Sequence, residues 1–87
     1  MKAEAIEQLK KELPGELHGV EEYMKLAEEA WESGDNISAE MLMQIASDEH
    51  DHAKYIMHLA DHHNITIDPA MKEKFHELEH KMMEHYK

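Results

Sequence analysis

The sequence contains no cysteine among its 87 residues. This absence excludes disulfide bonds, cysteine-ligated zinc sites and iron–sulfur clusters held by cysteine. The sequence also shows neither a Ser-His-Asp pattern nor a phosphate-binding glycine loop, which disfavours catalysis without a metal. Basic residues are few, with nine against 20 acidic ones and a formal net charge of −11. Because such a charge repels nucleic acid and anionic membranes, we expect neither as a partner.

Long apolar stretches are missing as well. No segment approaches the roughly 20 apolar residues that a membrane-spanning helix requires, and the first residues show no apolar signal segment. We therefore expect a cytoplasmic protein. The length predicts one domain over residues 1–87, with a modest core that is only marginally stable alone.

Helix-breaking residues are scarce, with three glycines and two prolines. Ala, Leu, Met, Glu and Lys dominate, which predicts an all-α fold. Ser33-Gly34-Asp35-Asn36 combines a glycine stop with an N-cap candidate, and Asp68-Pro69 is a helix-start signal. The predicted segments are a helical opening over 2–13, a kink or break at Pro14-Gly15, a long helix over 15–33, a second long helix from about Ile37 to His63, a connector over 64–68 and a C-terminal helix over 69–86.

The second long helix contains an E-x-x-H pair, Glu49 and His52. Residues three apart project from one side of a helix, and a carboxylate with an imidazole suits Fe(II), Mn(II) or Zn(II). The last helix repeats the pair twice, as Glu73/His76 and Glu77/His80. These copies lie off the apolar stripe of that helix, so we interpret them as surface coincidences. The stripe itself comprises Met71, Phe75, Leu78 and Met82.

Helical phase, at roughly 100° per residue, selects the polar residues that face the core. On the first long helix one face comprises Glu16, Val20, Tyr23, Ala27 and Ala30, flanked by Leu13, Leu17, Met24 and Trp31. Glu22 falls on the solvent side. On the second long helix the corresponding face comprises Leu42, Ile45, Ala46, Glu49, His52, Ala53, Ile56, Ala60 and His63, with His50 flanking it. The pattern thus predicts that two carboxylates and one histidine occupy core positions.

Burying Glu16, Glu49 and His52 without partners would cost several kcal/mol each. Lys25 and Lys54 phase outward, so no basic residue on the inward faces can pair with them. Two ordinary alternatives remain: an acid can lie at the edge of a bundle, and a histidine can be a hydrogen-bonded core residue. We favour a metal site formed by the three residues.

One chain offers two carboxylates and one imidazole. In dinuclear carboxylate bundles, two helices each contribute a Glu and two each contribute a Glu-x-x-His. This chain encodes half of that set. A two-fold dimer would supply four Glu and two His and would complete a four-helix bundle from two hairpins. We therefore expect a homodimer or higher homo-oligomer with a two-metal site near the two-fold axis.

Two segments carry a resemblance to a known family: ELHGVEEYMKLAEEA, beginning at Glu16, and IASDEHDHAK, beginning at Ile45. They resemble the ferritin-like superfamily, and within it the rubrerythrin-type diiron domain. The shared pattern is E-x6-Y, a gap of twenty-five residues, and then E-x-x-H-A. The resemblance covers little more than half of the chain and corresponds to the first half of that domain.

The resemblance implies specific roles. Glu16, Glu49 and His52 would bind iron, with two ions per dimer site, and Mn or Zn are the alternative metals. Tyr23 is the candidate catalytic residue, its hydroxyl donating a hydrogen bond to a ligating carboxylate; its alternative is core packing with the hydroxyl in solvent. The implied activity is that of a ferroxidase or peroxidase.

The chain departs from the family in two respects. A full rubrerythrin carries a second Glu helix and E-x-x-H helix, and a rubredoxin domain with four cysteines. Since this chain has one hairpin (residues 15–63) and no cysteine, sustained peroxidase turnover would need an external electron donor. The alternative function is a non-catalytic helical dimer that acts as an interaction module, with a structural or adventitious zinc site.

The remaining histidines suggest only surface chemistry. His58/His62 and His76/His80 are i, i+4 pairs that face away from the core and could hold Zn(II), Ni(II) or Cu(II). His63 phases inward, but it lies roughly 21 Å along the helix from Glu49, too far to share its metal.

Overall fold

Three α-helices make up the fold of the computed structural model, which describes residues 1–85. They are α1 (Ala3–Glu32), α2 (Asn36–His62) and α3 (Pro69–His85), and the described range contains no strand. The all-α prediction is therefore confirmed, although the predicted helix end at residue 86 lies outside the described residues. The molecule is elongated, measuring 47 × 19 × 16 Å. Within the described range, no helix has both the length and the apolar content needed to cross a membrane.

The turn between α1 and α2 follows the sequence signals. Gly34 adopts a left-handed φ of 84°, and its N–H donates to the carbonyl of Trp31 at 3.0 Å. The N–H of Asp35 donates to the carbonyl of Ala30 at 2.8 Å. This pair of bonds is a Schellman motif, in which glycine is favoured because it has no Cβ. Asp35 then caps α2 by accepting the Ser38 N–H at 3.0 Å.

The turn between α2 and α3 repeats the same motif with asparagine. Asn64 has a φ of 55°, and the N–H of Ile65 donates to the carbonyl of Ala60 at 2.8 Å. Asp68 directly precedes α3 and caps its first turn, since its Oδ1 accepts the Ala70 N–H at 2.9 Å. The predicted connector and the predicted start of the last helix are both confirmed.

Of the kink or break predicted at Pro14-Gly15, the break is wrong, because α1 continues through Pro14. A proline inside a helix removes one backbone hydrogen bond and costs about 3 kcal/mol. Leu13 and Leu17 lie on either side of it and are 1% and 2% exposed. Each such side chain contributes roughly 1.5–3 kcal/mol on burial, so the packing offsets the cost. Pro14 and Gly15 themselves are exposed.

In the core between α1 and α2, fully buried residues recur every seven positions along each helix. The spacing is that of helices that pack as a left-handed pair, and the alanines on α2 allow close approach. The fully buried residues in the two rows, none more than 1% exposed, are Ile6, Leu13, Val20 and Ala27 on α1 and Ala39, Ala46, Ala53 and Ala60 on α2. These rows set the rotation of both helices.

The buried arc of α2 is rotated relative to the predicted one. His52, predicted to face the core, has a side chain that is 58% exposed, and Ile45 is 39% exposed. His50, predicted as a flanking residue, is buried. Its ring stacks on Phe75 of α3 with centroids 4.0 Å apart, and its Nε2 lies 3.2 Å from the Phe75 carbonyl oxygen. The predicted buried face of α2 was wrong because the helical phase of one helix contains no information on where α3 packs.

α3 covers one side of the α1–α2 hairpin. Phe75, Leu78 and Met82 are buried, as the apolar stripe predicted. Lys74 donates a 2.6 Å hydrogen bond to Glu21 of α1. This bond is the main reason why the pKa of Glu21 lies below its usual value. α3 thus leaves the opposite side of the hairpin uncovered.

Candidate metal centre

Glu16, Glu49 and His52 lie together in the structure. Each offers one ligand atom, and these atoms all lie within 4.8 Å of one another. Glu16 comes from the middle of α1, and the other two come from α2 three residues apart. The three sequence-predicted metal residues are thus brought together, and no other group of three or more potential ligands is found among the described residues.

The cluster has an unbalanced set of hydrogen-bonding groups. Oε2 of Glu16 is buried and has no hydrogen-bond partner, and Nδ1 of His52 lies 3.6 Å away from it. Two carboxylates can only accept hydrogen bonds, so Glu16 and Glu49 bond to each other only when one of them holds a proton. A buried acceptor without a donor costs about 1–3 kcal/mol.

The pKa of Glu16 is raised by this arrangement. A hydrogen bond to Glu49, burial and the negative charge of Glu49 together raise the pKa of Glu16 to about 6, while His52 lowers it in part. Glu16 therefore keeps its proton at mildly acidic pH. A divalent cation provides the same compensation with more charge.

The cluster lies at the margin of the core. The side chain of Glu16 is only 20% exposed, whereas that of His52 is 58% exposed. The site opens into a shallow groove on the side of the hairpin that α3 leaves uncovered. The groove is lined by Ile45, Asp48, Glu49, Asp51, His52 and Tyr55. The predicted burial of the whole ligand set is therefore wrong for His52, and the site faces outward in a single chain.

Tyr23 lies two turns beyond Glu16 on α1. It is half-buried and packs against the core cluster. Over residues 1–85, none of the hydrogen bonds involves its hydroxyl group. This packing agrees with the alternative role of Tyr23 as a core residue. Its expected hydrogen bond to a ligating carboxylate stays a prediction.

The two predicted histidine pairs, His58/His62 and His76/His80, are not members of the cluster. His58 and His62 are exposed on α2. On α3, His76 pairs with Glu79 at 3.6 Å, and His80 pairs with Glu84 at 3.1 Å. The residues of the two extra E-x-x-H copies are thus exposed, and neither copy belongs to a three-ligand group among the described residues.

Sequence reasoning missed Gly19, which lies on α1 three residues after Glu16. A Cβ added to Gly19 would come 3.3 Å from Oε2 of Glu49, so the carboxylate occupies the space beside a bare backbone. An isolated glycine inside a helix costs about 1 kcal/mol relative to alanine and often marks a close approach. That signal was present in the sequence within the pattern Glu16-Leu-His-Gly19.

Comparisons of the chain with family models, curated proteins and solved structures gave no match. A metal centre at this position is therefore supported by the residues and their geometry. The residues that carry it are Glu16, Glu49 and His52, with Gly19 beside them.

Proposed function

We propose that this protein binds metal through Glu16, Glu49 and His52, and that two copies share a dinuclear iron site of the ferritin-like, rubrerythrin type. The observation that carries the proposal is the convergence of three potential ligand atoms within 4.8 Å of one another. One contributor is a carboxylate with a buried oxygen that has no hydrogen-bond donor. A cation supplies the charge that this arrangement lacks.

The donor set fits the proposed metal. Two carboxylates and one imidazole suit Fe(II), with Mn(II) and Zn(II) as the alternatives. The raised pKa of Glu16, about 6, has the close approach of Glu49 as its main cause. A divalent ion held by these residues would replace the proton on Glu16 and favour the ionised form of that carboxylate.

A second copy of the chain is the proposed source of the remaining ligands. Large apolar side chains lie exposed on the same side of α2 as His52, in phase with it at 100° per residue. Contiguous exposed apolar surface beside a polar site is typical of an interface. The residues are Ile37, Met41, Ile45 and Tyr55, with Leu26 exposed on α1. A two-fold axis through this face would bring together four Glu and two His, the set of a dinuclear carboxylate bundle.

Bound iron would supply one-electron redox chemistry toward O2 or peroxide, which is the basis for a ferroxidase or peroxidase activity. The residues of the chain have simpler tasks. Glu16 and Glu49 neutralise the metal charge, and Glu16 must lose its proton before it binds. In the assembled site we assign Tyr23 as the hydrogen-bond donor to a ligating carboxylate. Because the chain has no cysteine, repeated turnover would draw on an external electron donor.

Anaerobic Fe(II) titration followed by O2 tests the proposal. We expect two iron ions per dimer and ferric absorption in the near ultraviolet after oxygen is added. Glu49→Ala should lose both, whereas Glu40→Ala, which removes an exposed carboxylate from the same helix, should keep both. Iron binding that is absent, or unchanged in Glu49→Ala, would overturn the proposal.

A second candidate function is a structural zinc site in a non-catalytic helical dimer that serves as an interaction module. It is favoured by the fact that three ligand atoms already converge within a single chain. Zinc bound by three protein ligands keeps a water molecule in its fourth tetrahedral position, whereas a closed structural site takes its fourth ligand from the protein, here from the second copy of the dimer. Metal analysis of protein purified without added metal distinguishes the two, since one zinc per chain favours this candidate and two iron ions per dimer favour the first.

A further inference from the structure

Gly19 lies in the middle of α1, where its backbone faces the side chain of Glu49. A Cβ on Gly19 would lie 3.3 Å from Oε2 of Glu49, 3.7 Å from Cδ and 3.8 Å from Cγ. The shortest of these distances is below ordinary van der Waals contact between carbon and oxygen atoms. Any side chain at position 19 would therefore require the Glu49 carboxylate to move.

Gly15 provides an internal comparison on the same helix. A Cβ added to Gly15 would meet nothing within 4 Å, and the residue is exposed. Both glycines lower the intrinsic stability of a helix to a similar extent, because both add backbone freedom to the unfolded chain. The two positions thus share the effect of glycine on helix formation and differ in the contact with Glu49.

On the basis of the proposed metal site, we infer that Gly19 is a positioning residue for the Glu49 ligand. The Glu49 side chain extends past Gly19 from Cγ to Oε2, and the bare backbone lets its carboxylate lie beside Glu16. A methyl group at position 19 would shift the carboxylate by a few tenths of an ångström and so change its position relative to the other two ligands. Gly19 touches neither metal nor substrate in this arrangement, and it acts through Glu49.

Co(II) is a suitable probe of this inference, because its visible spectrum responds to coordination geometry as well as to occupancy. In anaerobic titrations we expect Gly19→Ala to bind Co(II) roughly tenfold more weakly, the lower end of the loss caused by changes outside the ligand set. Its visible spectrum should also differ from that of the wild type. Gly15→Ala should keep both the affinity and the spectrum. Wild-type affinity and spectrum in Gly19→Ala would overturn the inference.

Urea unfolding of the metal-free protein tests the contact independently of metal. Gly15→Ala should raise the unfolding midpoint, since alanine favours helix, while Gly19→Ala should raise it less or lower it. In a Glu49→Ala background, Gly19→Ala should recover the gain seen for Gly15→Ala. Equal gains at both glycines with Glu49 present would overturn the inference. Wild-type protein that binds no Co(II) would instead count against the proposed metal site, and the urea comparison would still decide the contact of Gly19 with Glu49.

Discussion

Oε2 of Glu16 lies 3.6 Å from Nδ1 of His52, across the interface between α1 and α2. The two residues are far apart in sequence, and their meeting depends on the register of the helical hairpin. The oxygen is buried without a hydrogen-bond donor, whereas most of the histidine side chain faces solvent. This combination of a buried acceptor and an accessible imidazole separates the cluster from an ordinary surface ion pair.

Metal-free protein should lose stability as the pH rises through the pKa of Glu16. This pKa is about 6 in the folded protein and 4.5 in an unperturbed glutamate, with the hydrogen bond to Glu49 as the main cause. The folded state therefore binds the proton more tightly than the unfolded state. The shift leaves stability intact below pH 4.5 and removes about 1–2 kcal/mol once the pH exceeds 6. Urea unfolding in the presence of a chelator at pH 4.5 and pH 7.5 measures this difference.

Glu16→Gln is the matched variant for that experiment. Its amide can donate to Glu49 as the protonated acid does, so its stability should change less between the two pH values than that of the wild type. Bound metal should instead raise the stability of the folded protein. A ligand that binds only the folded state adds about 2.7 kcal/mol at a hundredfold excess over its Kd, and Glu16→Gln should gain much less. A wild-type pH dependence equal to that of Glu16→Gln would contradict the assignment.

A charge on the exposed apolar side of α2 should separate the proposed dimer. Ile45 is 39% exposed and lines the groove at the cluster, so Ile45→Glu would place two like charges close together across the two-fold axis. We expect Ile45→Glu to sediment more as a monomer and to lose one of the two metal ions proposed for each dimer. Met83→Glu is the control, since Met83 is 64% exposed on α3 and should leave the dimer intact. Equal sedimentation of the two variants as dimers would exclude this face as the interface.

The sequence predicted both turns between the helices and the residues of the cluster, because these depend largely on local patterns. Gly34 and Asp68-Pro69 are signals read within a few residues. Glu49 and His52 are neighbours on one helix at any rotation of that helix. Only the pairing with Glu16 required the hairpin, and a short turn between two long helices leaves few alternative registers.

The rotation of the helices was the part that could not be predicted. Assigning a face by counting polar and apolar residues placed His52 inward and His50 at the flank. The structure reverses the two, since Phe75 of α3 stacks on His50 and the alanine row of α2 faces α1. Contacts with a distant segment determine such a choice, and the periodicity of one helix does not contain them.

His50 should stabilise the fold without contributing to the proposed metal site. Its ring is buried against Phe75, and its Nε2 lies 3.2 Å from the Phe75 carbonyl oxygen. His50→Ala would remove this stacked ring and leave a cavity, so we expect a loss of about 2–3 kcal/mol in the free energy of unfolding. His58→Ala, at an exposed position of the same helix, should change it by less than about 0.5 kcal/mol.

The Co(II) spectrum of His50→Ala is the control for this prediction, because the cluster lies on the face of α2 opposite to His50. Because the ring of His50 points toward α3 and the cluster opens on the uncovered side, the Co(II) spectrum of folded His50→Ala should match that of the wild type. An altered spectrum together with unchanged stability would contradict this division of roles. It would instead place His50 in the ligand environment.

Close packing of α2 on α1 should be a condition for the proposed metal site, and Ala53 tests this. Ala53 follows His52 directly and is fully buried in the alanine row. Ala53→Leu would insert three further carbon atoms into a packed seam, which typically costs about 1–3 kcal/mol. If the helices move apart to accommodate them, Glu16 is separated from the two ligands on α2. Co(II) affinity should therefore fall even in conditions where the variant is fully folded by circular dichroism.

Ala70→Leu, at an exposed position of α3, should retain both stability and affinity. A folded Ala53→Leu with wild-type Co(II) affinity would show that the ligand distances do not depend on the spacing of the hairpin.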